Sequence, residues 1–292
     1  MIQGAFTRAV TPRLPEPPGS RSGRTGTGPS LRLLIAGDSA AAGVGVTHQS
    51  AALSGQLVAA LEPHVDLQWQ LIATSGFTTR ELVHRLKREA PRPFDVAVIS
   101  LGVNDVTSAV RVSTWLKRQR ELAALLAQRF GVQRIILSSL PPMHELTALP
   151  QPLRWMLGAR SRRFNMALAR AVADMPGCEV LQLVLPQQSE SLAPDGFHPG
   201  RATYQNWATE LTVQIMRVDL QRPLPMSAHT DKLMSPPATE PEPPTPRARF
   251  RARPGWGRRR PSRGAACPRC SAPRSRAPWT SRRMPGRARR AA

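Results

Sequence analysis

Leu31-Arg32-Leu33-Leu34-Ile35-Ala36-Gly37-Asp38-Ser39 opens the part of the chain that reads as folded. Residues 31–36 form a short, nearly continuous apolar run, the pattern of a strand buried on both faces in a parallel sheet. Gly37 ends the run, so the strand delivers Asp38 and Ser39 at its carboxyl end. Residues 94–101, FDVAVISL, repeat the pattern and predict the clearest central strand. Between and beyond these runs the periodicity predicts a helix over 50–61 with Ser50 as cap and Pro63 as stop, and a strand over 67–73. A helix capped by Thr78 or Thr79 runs to about Arg88. An amphipathic segment over 113–130 leads through Gly131 into a strand over 134–140, which Pro141 and Pro142 terminate. Residues 152–174 read as mainly helical, 179–183 as a weaker strand, and 199–218 as a closing helix. Strands alternating with helices predict parallel βαβ units: an α/β fold with five parallel strands in the order 2-1-3-4-5 and helices on both faces.

The chain has 292 residues and a net charge of +22, but that charge sits at the ends. From residue 222 onward there are 18 Lys and Arg against 3 Asp and Glu, and residues 1–30 hold 4 against 1, which leaves only +4 for residues 31–221. The sequence therefore predicts a disordered N-terminal segment over 1–30, one globular domain over 31–221, and a disordered Pro/Arg-rich basic tail over 222–292, since Pro, Gly and Arg without apolar periodicity cannot bury enough surface to offset chain entropy. A basic tail can make nonspecific contact with polyanions, and its composition equally fits a shifted reading frame of GC-rich DNA. Its only aromatics, Phe250, Trp256 and Trp279, are too sparse for specific base stacking.

Cys178 is the lone cysteine of the domain, which excludes a disulfide framework there. Cys267-Pro268-Arg269-Cys270 has the spacing of half a zinc site, but no second pair follows it, and coincidence in an Arg/Pro-rich segment is the reading it supports. No apolar run has the length of a signal core or a membrane span, so a cytoplasmic protein is expected; a monomer is the default, with the oligomeric state left open.

Asp195-Gly196-Phe197-His198 answers Asp38-Ser39 across the domain. A hydroxyl is a poor nucleophile at its own pKa; it needs an imidazole to take its proton and a carboxylate to orient the imidazole. Asp195 and His198, three positions apart, let one loop carry both groups, with Ser39 as the nucleophile. Acyl transfer also needs donors at the developing oxyanion, and the Asn104 amide with the N–H groups of Gly76 and Ser39 can supply three. Each motif taken singly has a plainer reading: Gly37-Asp38-Ser39 and Asp195-Gly196 are turn sequences, Asn104 or Asp105 can cap a helix, Gly76 can be a turn, and His198-Pro199 can simply start the last helix. Together, however, Ser39 follows predicted strand one, Gly76 strand two, Asn104 strand three and the DxxH loop strand five. Ligands bind at the carboxyl ends of strands in open α/β sheets, so all four meet at one edge.

These four blocks, Gly37-Asp38-Ser39, Gly76, Gly102-x-Asn104-Asp105 and Asp195-x-x-His198-Pro199, resemble those of the SGNH hydrolases, the GDSL esterases and lipases, over residues 31 to about 218. The resemblance implies a flavodoxin-like three-layer α/β/α fold, a metal-free and cofactor-free serine hydrolase acting on a small-molecule ester or thioester, a Ser39-His198-Asp195 triad, and an oxyanion hole from Ser39, Gly76 and Asn104. Two departures stand out. Ala40-Ala41-Ala42-Gly43 follows the serine where a leucine gives the family its name, and Ser75 stands where many members carry an Asn nearby. Carboxylic ester hydrolysis is the first expectation. The same site would also serve a carbohydrate deacetylase or an acyl thioesterase, and a non-catalytic polyanion-binding protein acting through its tail is the alternative outside enzymology. His48, His64, His84 and His144 have no carboxylate in a DxxH arrangement and stay outside the mechanism. Residues 140–157, LPPMHELTALPQPLRWML, read either as core or as a substrate-facing loop with Met143, Leu149, Trp155 and Met156 as walls.

Overall fold

The computed structural model describes residues 14–187 and 190–219. Its strands are β1 (Ser22–Thr25), β2 (Ser30–Gly37), β3 (Asp66–Ala73), β4 (Val96–Ser100), β5 (Arg134–Ser138) and β6 (Cys178–Leu181). They form one sheet in the order β1-β3-β2-β4-β5-β6, with every neighbouring pair from β3 to β6 parallel and β1 antiparallel to β3. Leaving β1 aside, this is the predicted 2-1-3-4-5 order. The helices are α1 (Ser39–Ala42), α2 (Leu53–Leu61), α3 (Thr79–Arg88), α4 (Val103–Thr107), α5 (Val112–Phe130), α6 (Leu153–Ala171) and α7 (Arg201–Asp219). Among the described residues no helix is long and apolar enough to cross a membrane.

β1 corrects the expectation of disorder for the described part of residues 1–30. Ser22 to Thr25 pair with Gln70 to Leu67 on the outer edge of β3. SGRT has no apolar face, so nothing in its own pattern marks a strand; it is held by ladder hydrogen bonds and by Arg21, whose guanidinium donates to the Ala73 carbonyl and to Glu16 Oε2. Residues 1–13 lie outside the described residues. So do 220–292, where the basic tail, its expected polyanion contact and the Cys267/Cys270 pair fall.

The sheet is buried on both faces because alternate residues of each strand feed opposite cores. Leu34 and Ala36 of β2, with Ala97 and Ile99 of β4, join Leu82 and Leu86 of α3, Trp115, Leu122 and Leu126 of α5, and Phe164 and Leu168 of α6. Leu33 and Ile35, with Val96 and Val98, join Leu53, Leu57 and Leu61 of α2 and Tyr204, Trp207, Leu211 and Ile215 of α7. Three layers result, as the apolar runs predict. The helix expected over 50–61 is split into a 3₁₀ turn (Gln49–Ala51) and α2, because the Gln49 side chain turns inward and donates to the Ala42 carbonyl at 2.8 Å while accepting from Ser54 Oγ at 2.8 Å. α3 starts with the reciprocal bond of a capping box, Thr78 N–H to Glu81 Oε2 at 2.7 Å.

Candidate active site

The carboxyl ends of β2, β3 and β4 are in register, with Gly37 opposite both Ala73 and Ser100. The loops that leave them are tied together at once: Asp38 N–H donates to the Ser100 carbonyl at 3.1 Å, and Thr74 N–H donates to the Gly37 carbonyl at 3.3 Å. Ser39 is the first residue of α1, where a backbone N–H has no acceptor within the helix. The short helix is held from the opposite side by Tyr204 of α7, whose hydroxyl shares its proton between the carbonyls of Val44 (2.7 Å) and Ala40 (3.1 Å).

Across the edge, the loop preceding α7 brings His198 to Ser39. The Ser39 hydroxyl lies 3.0 Å from His198 Nε2, and His198 Nδ1 lies 2.6 Å from Asp195 Oδ2. Asp195 Oδ1 accepts the N–H groups of Phe197 and His198, each at 3.0 Å. Burial pushes the Asp195 carboxyl up, but the bonds from the His198 ring, the His198 N–H and the Phe197 N–H outweigh it and hold the group below the usual carboxylate range. An ionised Asp195 selects the tautomer with the proton on Nδ1, leaving Nε2 as the acceptor that faces Ser39. Phe197 packs its ring edge-on against His198.

Gly76 lies three residues beyond β3 in a turn with φ +86°, which a side chain would strain although a Cβ there would meet nothing within 4 Å. Asn104, in α4, donates one amide N–H to the Phe77 carbonyl at 3.0 Å, which orients the amide and leaves it a second N–H. The loops after β3 and β4 are joined again by Asp105, whose Oδ2 accepts Thr79 N–H at 2.8 Å and the Thr79 hydroxyl at 2.9 Å.

Sequence reasoning passed over several residues that hold this arrangement. Asp105, which the sequence marks only as a possible cap, is wholly buried and ties two loops together. Glu16, inside the segment expected to be disordered, accepts Ser75 N–H at 2.7 Å and so fixes the turn that carries Gly76. No local pattern marks either contact. Asp38 is 2% exposed, and its Oδ1 accepts the Ala40 N–H at 3.1 Å. Burial pushes its carboxyl up to about 7, opposed by the Ala40 bond and by the nearby His198. Of the side chains expected as pocket walls, Met143 and Leu149 are packed into the core, while Trp155 and Met156 are 65% and 56% exposed. His48 caps the turn at residue 49 through the Ser50 N–H, and His144 lies beside Glu145.

The raised Asp38 pKa has a consequence for stability. Between the unfolded value near 3.8 and the folded value near 7, the native Asp38 keeps a proton that the unfolded chain releases, so the contribution of Asp38 to stability falls with rising pH over that window and levels off above it. Asp38→Asn lacks this titration while its side-chain oxygen can still accept the Ala40 N–H. Its stability relative to wild type should climb by about 1 kcal/mol per pH unit from pH 4 to 7. Urea denaturation of both proteins at pH 4.5 and 7.5 measures it, and an unchanged difference between the two would refute the assignment.

A sequence model of the GDSL-like Lipase/Acylhydrolase family matches residues 35–205. A GDSL-like esterase of Mycobacterium tuberculosis is 27% identical over 211 residues, 68% of this chain and 66% of that protein, so the match falls just short of two thirds of the relative's length. The structure is similar to that of a member of the lipolytic protein G-D-S-L family from Veillonella parvula, with TM-score 0.52 at 13% identity over 64% of this chain and 99% of that chain. It is similar too to a catalytic mutant of an acetylxylan esterase from Geobacillus stearothermophilus, with TM-score 0.52 at 18% identity over 65% of this chain and 95% of that chain. At such identities the two structures speak to the fold.

Proposed function

Because the chain belongs to the GDSL-like Lipase/Acylhydrolase family, we propose that it is a serine esterase whose nucleophile is Ser39, with His198 as general base and Asp195 as the group that orients it. The observation that carries this reading is the unbroken chain of contacts from Ser39 Oγ through the His198 ring to Asp195, at 3.0 and 2.6 Å. As Ser39 Oγ attacks the ester carbonyl carbon, its proton passes to His198 Nε2, and Asp195 stabilises the imidazolium that forms. The carbonyl oxygen becomes an oxyanion, held by the N–H groups of Ser39 and Gly76 and by the second amide N–H of Asn104. Collapse of the tetrahedral intermediate breaks the bond to the alcohol oxygen, which takes the proton from His198 and leaves. Water, activated by the same imidazole, then cleaves the acyl-Ser39 ester.

A fluorophosphonate tests the nucleophile directly, because it phosphonylates an activated serine and leaves ordinary hydroxyls alone. The expected product is one adduct, mapped by mass spectrometry to the peptide that contains Ser39, formed in step with loss of aryl-acetate hydrolysis. An adduct on another serine, or hydrolysis that survives complete labelling, overturns the proposal.

A further inference from the structure

Ser39 and His198 open onto a small internal cavity of about 50 Å³. It is lined by residues of three loops, Leu101 after β4, Leu140 and Leu146 after β5, and Leu185 after β6, together with Val103 and Phe197. We propose that this cavity is the acyl site and that it limits the substrate to esters of short-chain acids, with acyl groups of about two to four carbons. The proposal rests on the serine-esterase reading above. One water-sized group needs about 10–15 Å³ of such space, so the cavity, which Ser39 itself lines, holds about three to five heavy atoms of the acyl group, its carbonyl carbon included. An acetyl, propionyl or butyryl group fits; an octanoyl chain does not unless the wall moves.

The wall is built to stay in place. Leu101, Leu140, Leu146 and Leu185 are each buried within the core that packs α3, α5 and α6 on the sheet. Close-packed interiors resist expansion by even one methylene. The backbone behind the wall is pinned as well: Asn165 of α6 accepts the Leu140 N–H at 2.8 Å and donates to the Leu140 carbonyl at 2.9 Å, and Ser139 Oγ accepts the Leu183 N–H at 2.8 Å.

Beyond this wall lies a larger groove of about 290 Å³, bordered by Glu145, Arg162, Gln182 and Gln187. Ser139, Leu140, Leu183 and Leu185 line both spaces and so form the partition between them. Chain-length selectivity therefore resides in the leucines of the partition. Truncating one of them joins the short cavity to the groove.

The test is a series of aryl esters from acetyl to decanoyl, assayed with wild type, Leu185→Ala, Leu183→Ala and Ser39→Ala. Wild-type kcat/KM should be highest between acetyl and butyryl and at least about tenfold lower from hexanoyl onward, since a few methylenes in or out of an apolar pocket are worth that much. Leu185→Ala should raise the ratio of octanoyl to acetyl kcat/KM about tenfold or more. Leu183, only half-buried, provides the second variant in case the first is poorly folded. A wild-type optimum at octanoyl or longer that vanishes in Ser39→Ala overturns the short-acyl proposal and leaves the esterase reading intact, and so does an unchanged length profile in both folded leucine variants. Hydrolysis that persists in Ser39→Ala, or none at any length, overturns the esterase reading and this proposal with it.

Discussion

If Ser39 is the proposed nucleophile, Ser39→Ala should lower kcat for aryl-acetate hydrolysis by about 10⁵–10⁶, the loss expected when the nucleophile of a Ser-His-Asp unit is removed. The structural cost is small: the replacement deletes one hydroxyl, which lies against His198 Nε2, and leaves α1 and its contact with Tyr204 in place. Circular dichroism and thermal unfolding should therefore match wild type. The size of the effect gains meaning beside two other variants. Asp195→Asn should cost about 10⁴, because an amide no longer selects the tautomer that leaves Nε2 free to accept the Ser39 proton. Asn104→Ala should cost about 10²–10³, the contribution of a single oxyanion donor. Initial rates at saturating aryl acetate rank the three. A loss at Asn104 as deep as that at Ser39, or no loss at Asp195, would break the assigned division of roles.

Gly37→Ala is expected to have the largest effect on stability. Gly37 closes β2 between β3 and β4, and a Cβ at this position would overlap the Ser100 carbonyl oxygen and stand 2.9 Å from Ala41 Cβ. Neither neighbour can retreat. Ser100 is in the central strand, and its carbonyl accepts the Asp38 N–H at 3.1 Å; Ala41 is fully buried in α1. Overpacking against backbone on this scale destabilises by about 3 kcal/mol or more. For a domain of this size that lowers Tm by about 6–12 °C. The strand end it displaces also carries Ser39, so activity should fall further than the unfolded fraction accounts for. Gly76→Ala is the contrast, since its Cβ would enter open space and the cost is only that of a positive φ, about 1 kcal/mol. Thermal unfolding of the two variants side by side decides the matter. Equal melting temperatures would mean that close approach at Gly37 is not what excludes a side chain there.

The Gly37 contact shows how far the sequence reading carried. LRLLIAG announced a buried strand ending at a glycine, and the strand is there. That the glycine is required by the carbonyl of a residue 63 positions later is a property of sheet register. The contact between His198 and Asp195 was similarly legible: a four-residue DxxH positions its own carboxylate, because Asp195 accepts backbone N–H groups from its own loop. The supports of Gly76 and Asn104 were not. Glu16 and Asp105 act on distant loops, and a lone acidic residue carries no local sign of the N–H it will meet. Trp155 and Met156 show the reverse, since an apolar run suggested walls for a pocket and the helix turned both side chains outward.

By itself, the sequence determined the layered α/β fold, the order of the parallel strands and the sheet edge from which the loops bearing Ser39, Gly76, Asn104 and His198 leave, because apolar periodicity and strand–helix alternation are local signals and topology follows from them under few constraints. Only the tertiary structure decided the edge strand β1, the buried state of Asp38, and the leucine wall that closes the cavity beneath Ser39. Those features arise where side chains and backbone groups far apart in the chain exclude water together, and neither volume nor dielectric is encoded in any one segment.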